Sequence, residues 1–107
     1  MSVTSGSFSA ADDEFAIAGL SAVPGQKVKA PLVAESPANI ECRVAQILDL
    51  GLDGRTHLVI GDVVAIHVDE RVLEGTRVDH DALKAVGRMA GSTYVRTGDR
   101  FDVLRPT

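Results

Sequence analysis

"NIECRVAQILDLGLDGRTHLVIGDVVAIHV", residues 39–68, decides the fold. In its first part Ile40, Cys42, Val44 and Leu48 alternate with Glu41, Arg43 and Asp49, the period of two that gives a strand one inward face. The later run from Thr56 to Val68 is almost continuously apolar and β-branched, which predicts a strand covered on both faces. Asp53-Gly54 supplies a turn between them, so the whole stretch predicts one long antiparallel hairpin. Gly61, inside the second strand, predicts a bulge or bend of the kind that lets a small barrel curve. Cys42 shares the inward face and is expected as a small buried hydrophobe, since burial raises a thiol's pKa instead of activating it.

Outward from the hairpin, residues 21–38 hold Pro24, Gly25, Pro31 and Pro37, which excludes a long helix and predicts an extended, turning segment. Val28 and Leu32–Val33 are its candidates for short edge pairings. Before it, Ser9 and Asp12 resemble a capping box, and carboxylates at 12–14 suit a helix start, so a short helix is expected over Ala10–Ala18 with Gly19 as its stop. Beyond the hairpin, Asp79 can cap a second short helix with Leu83 and Val86 inward and Gly87 ending it. Ser92–Arg96 and Arg100–Leu104 then read as two strands around Thr97-Gly98-Asp99. The fold class is mainly β (α+β), a small antiparallel barrel with two short helices. Only four firm strands are legible, and a closed barrel needs about five or six, so the barrel is expected to be incomplete or to borrow strands from a partner.

The 107 residues make one domain or part of one, with an ordinary globular balance of 45% hydrophobic and 24% charged residues. A net charge of −4 gives no basic footprint for nucleic acid, and singly scattered Lys and Arg give no anionic membrane surface. No run reaches the roughly 18 apolar residues of a spanning helix, and Met1–Phe8 lacks the charge and apolar core of a secretory signal. With Cys42 as the lone cysteine, no internal disulfide can form, and a reducing cytoplasm is expected.

Candidate chemistry is sparse. His57 and His67 lie ten residues apart on one strand, roughly 33 Å end to end, too far to share a metal ion. His80, between Asp79 and Asp81, reads as part of a solvated helix start, and no metal is expected. Glu35 and Glu41 fall on different elements, so spacing argues no carboxylate pair. No nucleophile elbow, Walker loop or dinucleotide fingerprint is present. One stretch stands apart: "GRMAGSTYVRTGDRF", residues 87–101, packs Gly87, Arg88, Gly91, Ser92, Thr93 and the lone Tyr94 into eight positions. Glycines let a ligand approach the backbone, Arg88 can pair with a phosphate, the hydroxyls can donate, and Tyr94 offers a flat face. The residues alone leave a second reading open, a helix cap and loop whose Tyr packs on the barrel end.

Taken in order, "TSGSF", "DEFAIAGL", "VAESPANIECRV", "HLVIGDVVAIHVDERVL" and "GRMAGSTYVRTGDRF" closing on "RP" resemble the second half of the flavin reductase-like, FMN-binding split-barrel family of the flavoredoxin type. The resemblance implies an antiparallel split barrel with Greek-key connections, a homodimer, and FMN near the subunit interface. It implies oxidoreductase chemistry in which NAD(P)H gives hydride to the flavin and electrons pass onward, in some members to a partner monooxygenase. It assigns Gly87, Arg88, Gly91, Ser92 and Tyr94 to cofactor binding, Arg88 as a phosphate or ribose contact and Tyr94 as an aromatic wall. No catalytic side chain is assigned, because the cofactor carries the chemistry.

The departures are equally specific. Family members run to about twice this length, and segments such as P-R-P-I, S-T-x-x-x-x-G-x-x-N-x-A-P and K-D-T, which carry flavin-phosphate contacts in their first half, do not occur here. The expectation is therefore that residues 1–107 form a C-terminal half-domain, truncated or split from its first half. A non-catalytic β-barrel dimerisation module and an inactive remnant are the competing expectations.

Overall fold

The computed structural model describes residues 13–106, in two compact units divided between His67 and Val68. In the first unit, Asp13 caps helix α1 (Glu14–Ala18), its carboxylate accepting from the Phe15 N–H at 3.0 Å. The Leu20 N–H to Phe15 and Gly19 N–H to Ala16 bonds close the helix in a Schellman pattern. The helix so begins at Glu14; the Ser9–Asp12 cap expected from the sequence lies outside the described residues. Strands β1 (Ala22–Val23) and β2 (Leu32–Val33) pair antiparallel, Ala22 with Val33 and Val23 with Leu32. Val28 joins no strand.

The long hairpin is present as β3 (Ala38–Leu50) and β4 (Thr56–Val68), hydrogen-bonded neighbours joined across residues 51–55. At Gly61 an added Cβ would stand 3.0 Å from the Cβ of Cys42, so glycine permits a close approach there.

Burial overturns the expected inward face. Ile40 (60% exposed), Cys42 and Val44 (63%) lie open, and the β4 run expected to be covered on both faces exposes Leu58, Val59, Ile60, Val63 and Ile66. Alternation marks side chains that need cover; it does not say that the cover lies in the same chain. The buried residue here is instead Glu41, 2% exposed.

Polar tethers hold this unit. The Glu41 carboxylate accepts from the backbone N–H groups of Lys27 (2.9 Å) and Val28 (3.1 Å) and bonds His67 Nε2 across the hairpin. Asn39 clamps Val33, accepting its N–H at 3.0 Å and donating to its carbonyl at 3.1 Å, as a strand residue would. Glu35 caps the end of the β1–β2 ladder by accepting the Ser21 N–H on both oxygens, which lowers its pKa. Gly25 sits where the loop closes on Glu41: a Cβ would stand 2.7 Å from Glu41 Oε1 and from the carbonyls of Val28 and Ala30. Gly25→Ala should therefore destabilise the chain by about 2 kcal/mol through overpacking against backbone, measured as a lower urea midpoint with unchanged slope.

In the second unit, Asp69 caps a 3₁₀ turn (Glu70–Val72), and the Arg71 guanidinium on its carboxylate lowers the Asp69 pKa. Val72 is buried (4% exposed) and its carbonyl accepts the Asp79 N–H at 2.8 Å. A short hairpin of β5 (Leu73–Glu74) and β6 (Arg77–Val78) follows, then α2 (His80–Leu83), capped by Asp79. Helix α2 stops at Leu83, because Lys84 turns into the left-handed region at φ 53°. The expected run to Gly87 does not form, and Val86 enters strand β7 (Val86–Arg88), which pairs antiparallel with β8 (Tyr94–Arg96). The expected strand over Arg100–Leu104 is also absent, and the Arg100 guanidinium bonds Asp81 and the Thr97 carbonyl instead. The described strands thus make four separate two-stranded ladders, with no closed barrel among them.

Candidate functional site

The β7–β8 hairpin gathers the expected cofactor residues. Val86 faces Arg96, Gly87 faces Val95, and Arg88 faces Tyr94 in the ladder. Directly opposed residues of an antiparallel pair share a face, so the Arg88 and Tyr94 side chains leave the ladder on the same side. The intervening residues 89–93 are pinned by Met89 N–H to the Thr93 carbonyl (2.8 Å) and Thr93 N–H to the Ala90 carbonyl (3.1 Å). Gly91 takes φ 62°, which an L side chain disfavours, and its carbonyl accepts Arg88 Nε–H at 3.2 Å. That single bond holds the arginine over its own loop and leaves the two Nη groups without a partner among the described residues. Ser92 sits at the exposed tip of the same loop.

The two glycines answer to the backbone first. An added Cβ at Gly87 would meet Val95 Cγ1 at 3.1 Å, so the residue keeps the two strands in contact, and Gly91 serves the turn. What faces outward is Arg88, Ser92 and Tyr94. Beside Tyr94, a concavity of about 430 Å³ is bounded by Val86, Tyr94, Val95 and Arg96. A second concavity of about 330 Å³ shares Val86 and Arg96 with the first and is lined also by Lys84, Asp81 and Thr97.

Three features escape the sequence. Lys84 and Arg96 reach one cavity from different elements, and Asp81 pairs with Arg100 at 3.0 Å across nineteen residues. In the first unit, His57 and His67 are not free: they pair with Asp49 and Glu41. The period-two pattern placed Glu41 on a strand but carried no sign that a proline-rich loop would fold onto it. Among the described residues no cluster of three metal-ligating side chains occurs, and no helix is long and apolar enough to cross a membrane.

Residues 1–98 match the flavin reductase like domain. An uncharacterized protein of Deinococcus radiodurans is 36% identical over the whole of this chain and 48% of its own length. Among solved structures, nitrilotriacetate monooxygenase component B from Bacillus cereus superposes with a TM-score of 0.86 at 28% identity, over 95% of this chain and 52% of that one. Flavoredoxin of Desulfovibrio vulgaris superposes at 0.72, also 28% identical, over 88% and 49%. The chain belongs to the flavin reductase-like family, and its fold is that of the split-barrel members. It spans about half the length of the curated relatives it matches.

Proposed function

We propose that this chain forms part of a flavin-dependent oxidoreductase that binds FMN and takes hydride from NAD(P)H. The observation that carries the reading is the ladder pairing of Arg88 with Tyr94 beside a concavity of about 430 Å³ in a chain of this family.

The residues present fit one wall of such a site. Arg88 offers two Nη groups, unengaged among the described residues, to a phosphate or ribityl oxygen, the Tyr94 ring supplies a flat apolar face, and Ser92 offers a hydroxyl donor. Gly91, at φ 62°, adds no side chain to the loop. A bound flavin supplies hydride acceptance, two electrons with one hydrogen, from a reduced nicotinamide. Tyr94 and Val95 limit water on one side, and Arg88 orients the anionic tail. The likeness to a monooxygenase component B supports an oxygenase as the onward electron acceptor, and a homodimer would supply further walls.

Titration of the 107-residue chain with FMN, followed by quenching of flavin fluorescence with mass read in parallel by light scattering, tests the reading. Saturable quenching in the micromolar range is expected, weakened about ten-fold in Arg88→Ala, the loss of one charge-assisted contact. The exposed strands favour a second reading, a dimerisation module without flavin. A stable dimer that leaves FMN fluorescence untouched would end flavin binding by these 107 residues alone and favour the second reading.

A further inference from the structure

We infer that the open faces and edges of the β3–β4 ribbon are a docking surface for a separate polypeptide of different sequence, one that supplies the stretch of its relatives that this chain does not match. Covering apolar strands needs no flavin, so the inference does not rest on the proposed function.

Surface area sets the size of the partner. The chain exposes 9286 Å², whereas a folded monomer of 11.3 kDa exposes about 5,700 Å² by the scaling of surface with mass. The excess of about 3,500 Å² is several times the roughly 800 Å² that each partner gives to a standard interface, and it belongs with obligate assemblies. On the ribbon the uncovered surface is aliphatic: Ile40 and Val44 of β3 and Leu58, Val59, Ile60 and Val63 of β4 are all exposed. Backbone groups are uncovered there too. Among the described residues β3 and β4 pair only with each other, which leaves each 13-residue strand with one unpaired edge. A surface that asks for both strands and aliphatic cover resembles a domain core cut in two, the character of an obligate interface.

Charge and length choose the kind of partner. Residues 1–67, which hold the ribbon, carry eight carboxylates against four basic side chains, so the whole net charge of −4 lies in them. A second copy would set −4 against −4, and like charges across an interface oppose association. The relatives contain a different candidate. This chain spans 48% of the Deinococcus radiodurans protein and 52% of component B from Bacillus cereus, so each carries an unmatched stretch about as long as the matched one. That stretch has the size the excess area asks for, and its sequence is free of the charge that two copies would duplicate.

The test is co-expression of the full 107-residue chain with the unmatched stretch of the Deinococcus radiodurans protein and, separately, with that of component B, read by native mass spectrometry. A one-to-one complex of two different chains is expected with at least one of them, persisting at about 1 μM. Cys42, the lone cysteine and an exposed thiol on β3, locates the contact: in the complex N-ethylmaleimide should modify it at least about ten-fold more slowly than in the chain alone. Val59→Lys with Val63→Lys should abolish the complex while leaving the far-UV ellipticity of the lone chain unchanged, and Leu52→Lys, in the exposed turn, should not weaken it. No complex with either stretch, a complex in which Cys42 reacts as before, or a homodimer that neither stretch displaces overturns the inference. FMN keeps it apart from the proposed function. A complex that leaves FMN fluorescence untouched retains the surface and ends the flavin reading; FMN binding by a chain that takes neither stretch does the reverse.

Discussion

Glu41→Ala lowers the melting midpoint by about 10 °C, more than any other single side-chain truncation in the first unit, because it strands two backbone donors and an imidazole at once. The Lys27 and Val28 N–H groups both end on Glu41 Oε1, His67 Nε2 meets Oε2, and the carboxylate is 2% exposed. With alanine in its place the Pro24–Pro31 loop has no acceptor to close upon. Melting followed by far-UV ellipticity checks this, and a midpoint within about 2 °C of wild type would refute it.

The same group predicts an acid limb. Hydrogen bonding by His67, then by the loop N–H groups, holds the Glu41 pKa at about 2. In the unfolded chain a glutamate titrates at about 4.3. Between these values the unfolded chain binds the proton that the folded chain refuses, so stability rises with pH across that window. The stabilisation is complete above about pH 4.5 and is lost as pH falls toward 2. Glu35 and Asp69 are also held low and slope the same way, but both are surface groups. Glu41→Gln isolates the buried group: its urea midpoint should fall less steeply from pH 5 to pH 2 than that of wild type, and parallel curves would exclude the assignment.

We expect the chain free in solution to self-associate, with a mass by light scattering at about 100 μM above the 11.3 kDa of one copy. In β3 and β4, Ile40, Val44, Ile47, Leu48, Leu50, Leu58, Val59, Ile60, Val63 and Ile66 are all exposed. Covering ten aliphatic side chains that are now about half open is worth on the order of 10 kcal/mol. That equals the entire net stability of an ordinary domain, about 5–15 kcal/mol, so the surface will find cover if any is offered. Side chains alternate faces along β4, placing Leu58 with Ile60 and Val59 with Val63. Lysines at one of these pairs should return the chain to a single copy, and the pair that does so identifies the face in contact. A wild-type chain that stays at one copy across the concentration range would refute the prediction.

The hairpin was legible because its signals are local: a period of two, a β-branched run and a turn between them. Residues 39–68 were expected and 38–50 with 56–68 are found. Burial was not legible, since Cys42 and Val44 carry the pattern of a covered face whether or not this chain holds the cover. The second unit was misread from one point. Nothing in "DALKAVG" marks Lys84 as the residue that reverses the backbone, and once α2 stops at Leu83, Val86 and Gly87 pass from helix to strand. Phe101 and Val103 alternate as a strand would, yet a strand needs a partner ladder and none reaches them among the described residues. For the site, the sequence brought Arg88 and Tyr94 into one short stretch, and the ladder register then set them face to face. Lys84 with Arg96, and Glu41 with the loop, join distant elements, and no spacing rule reaches that far.

The side-chain clamps of Asn39 and Glu41 sit two residues apart at the root of β3 and grip the preceding segment at Val33 and at Lys27–Val28. Together they work as a bolted bracket. These bonds join the ribbon of β3 and β4 to the proline-rich segment, so a shift of one is passed to the other. The join between β3 and the segment before it is thus made by an amide and a carboxylate, one side chain each.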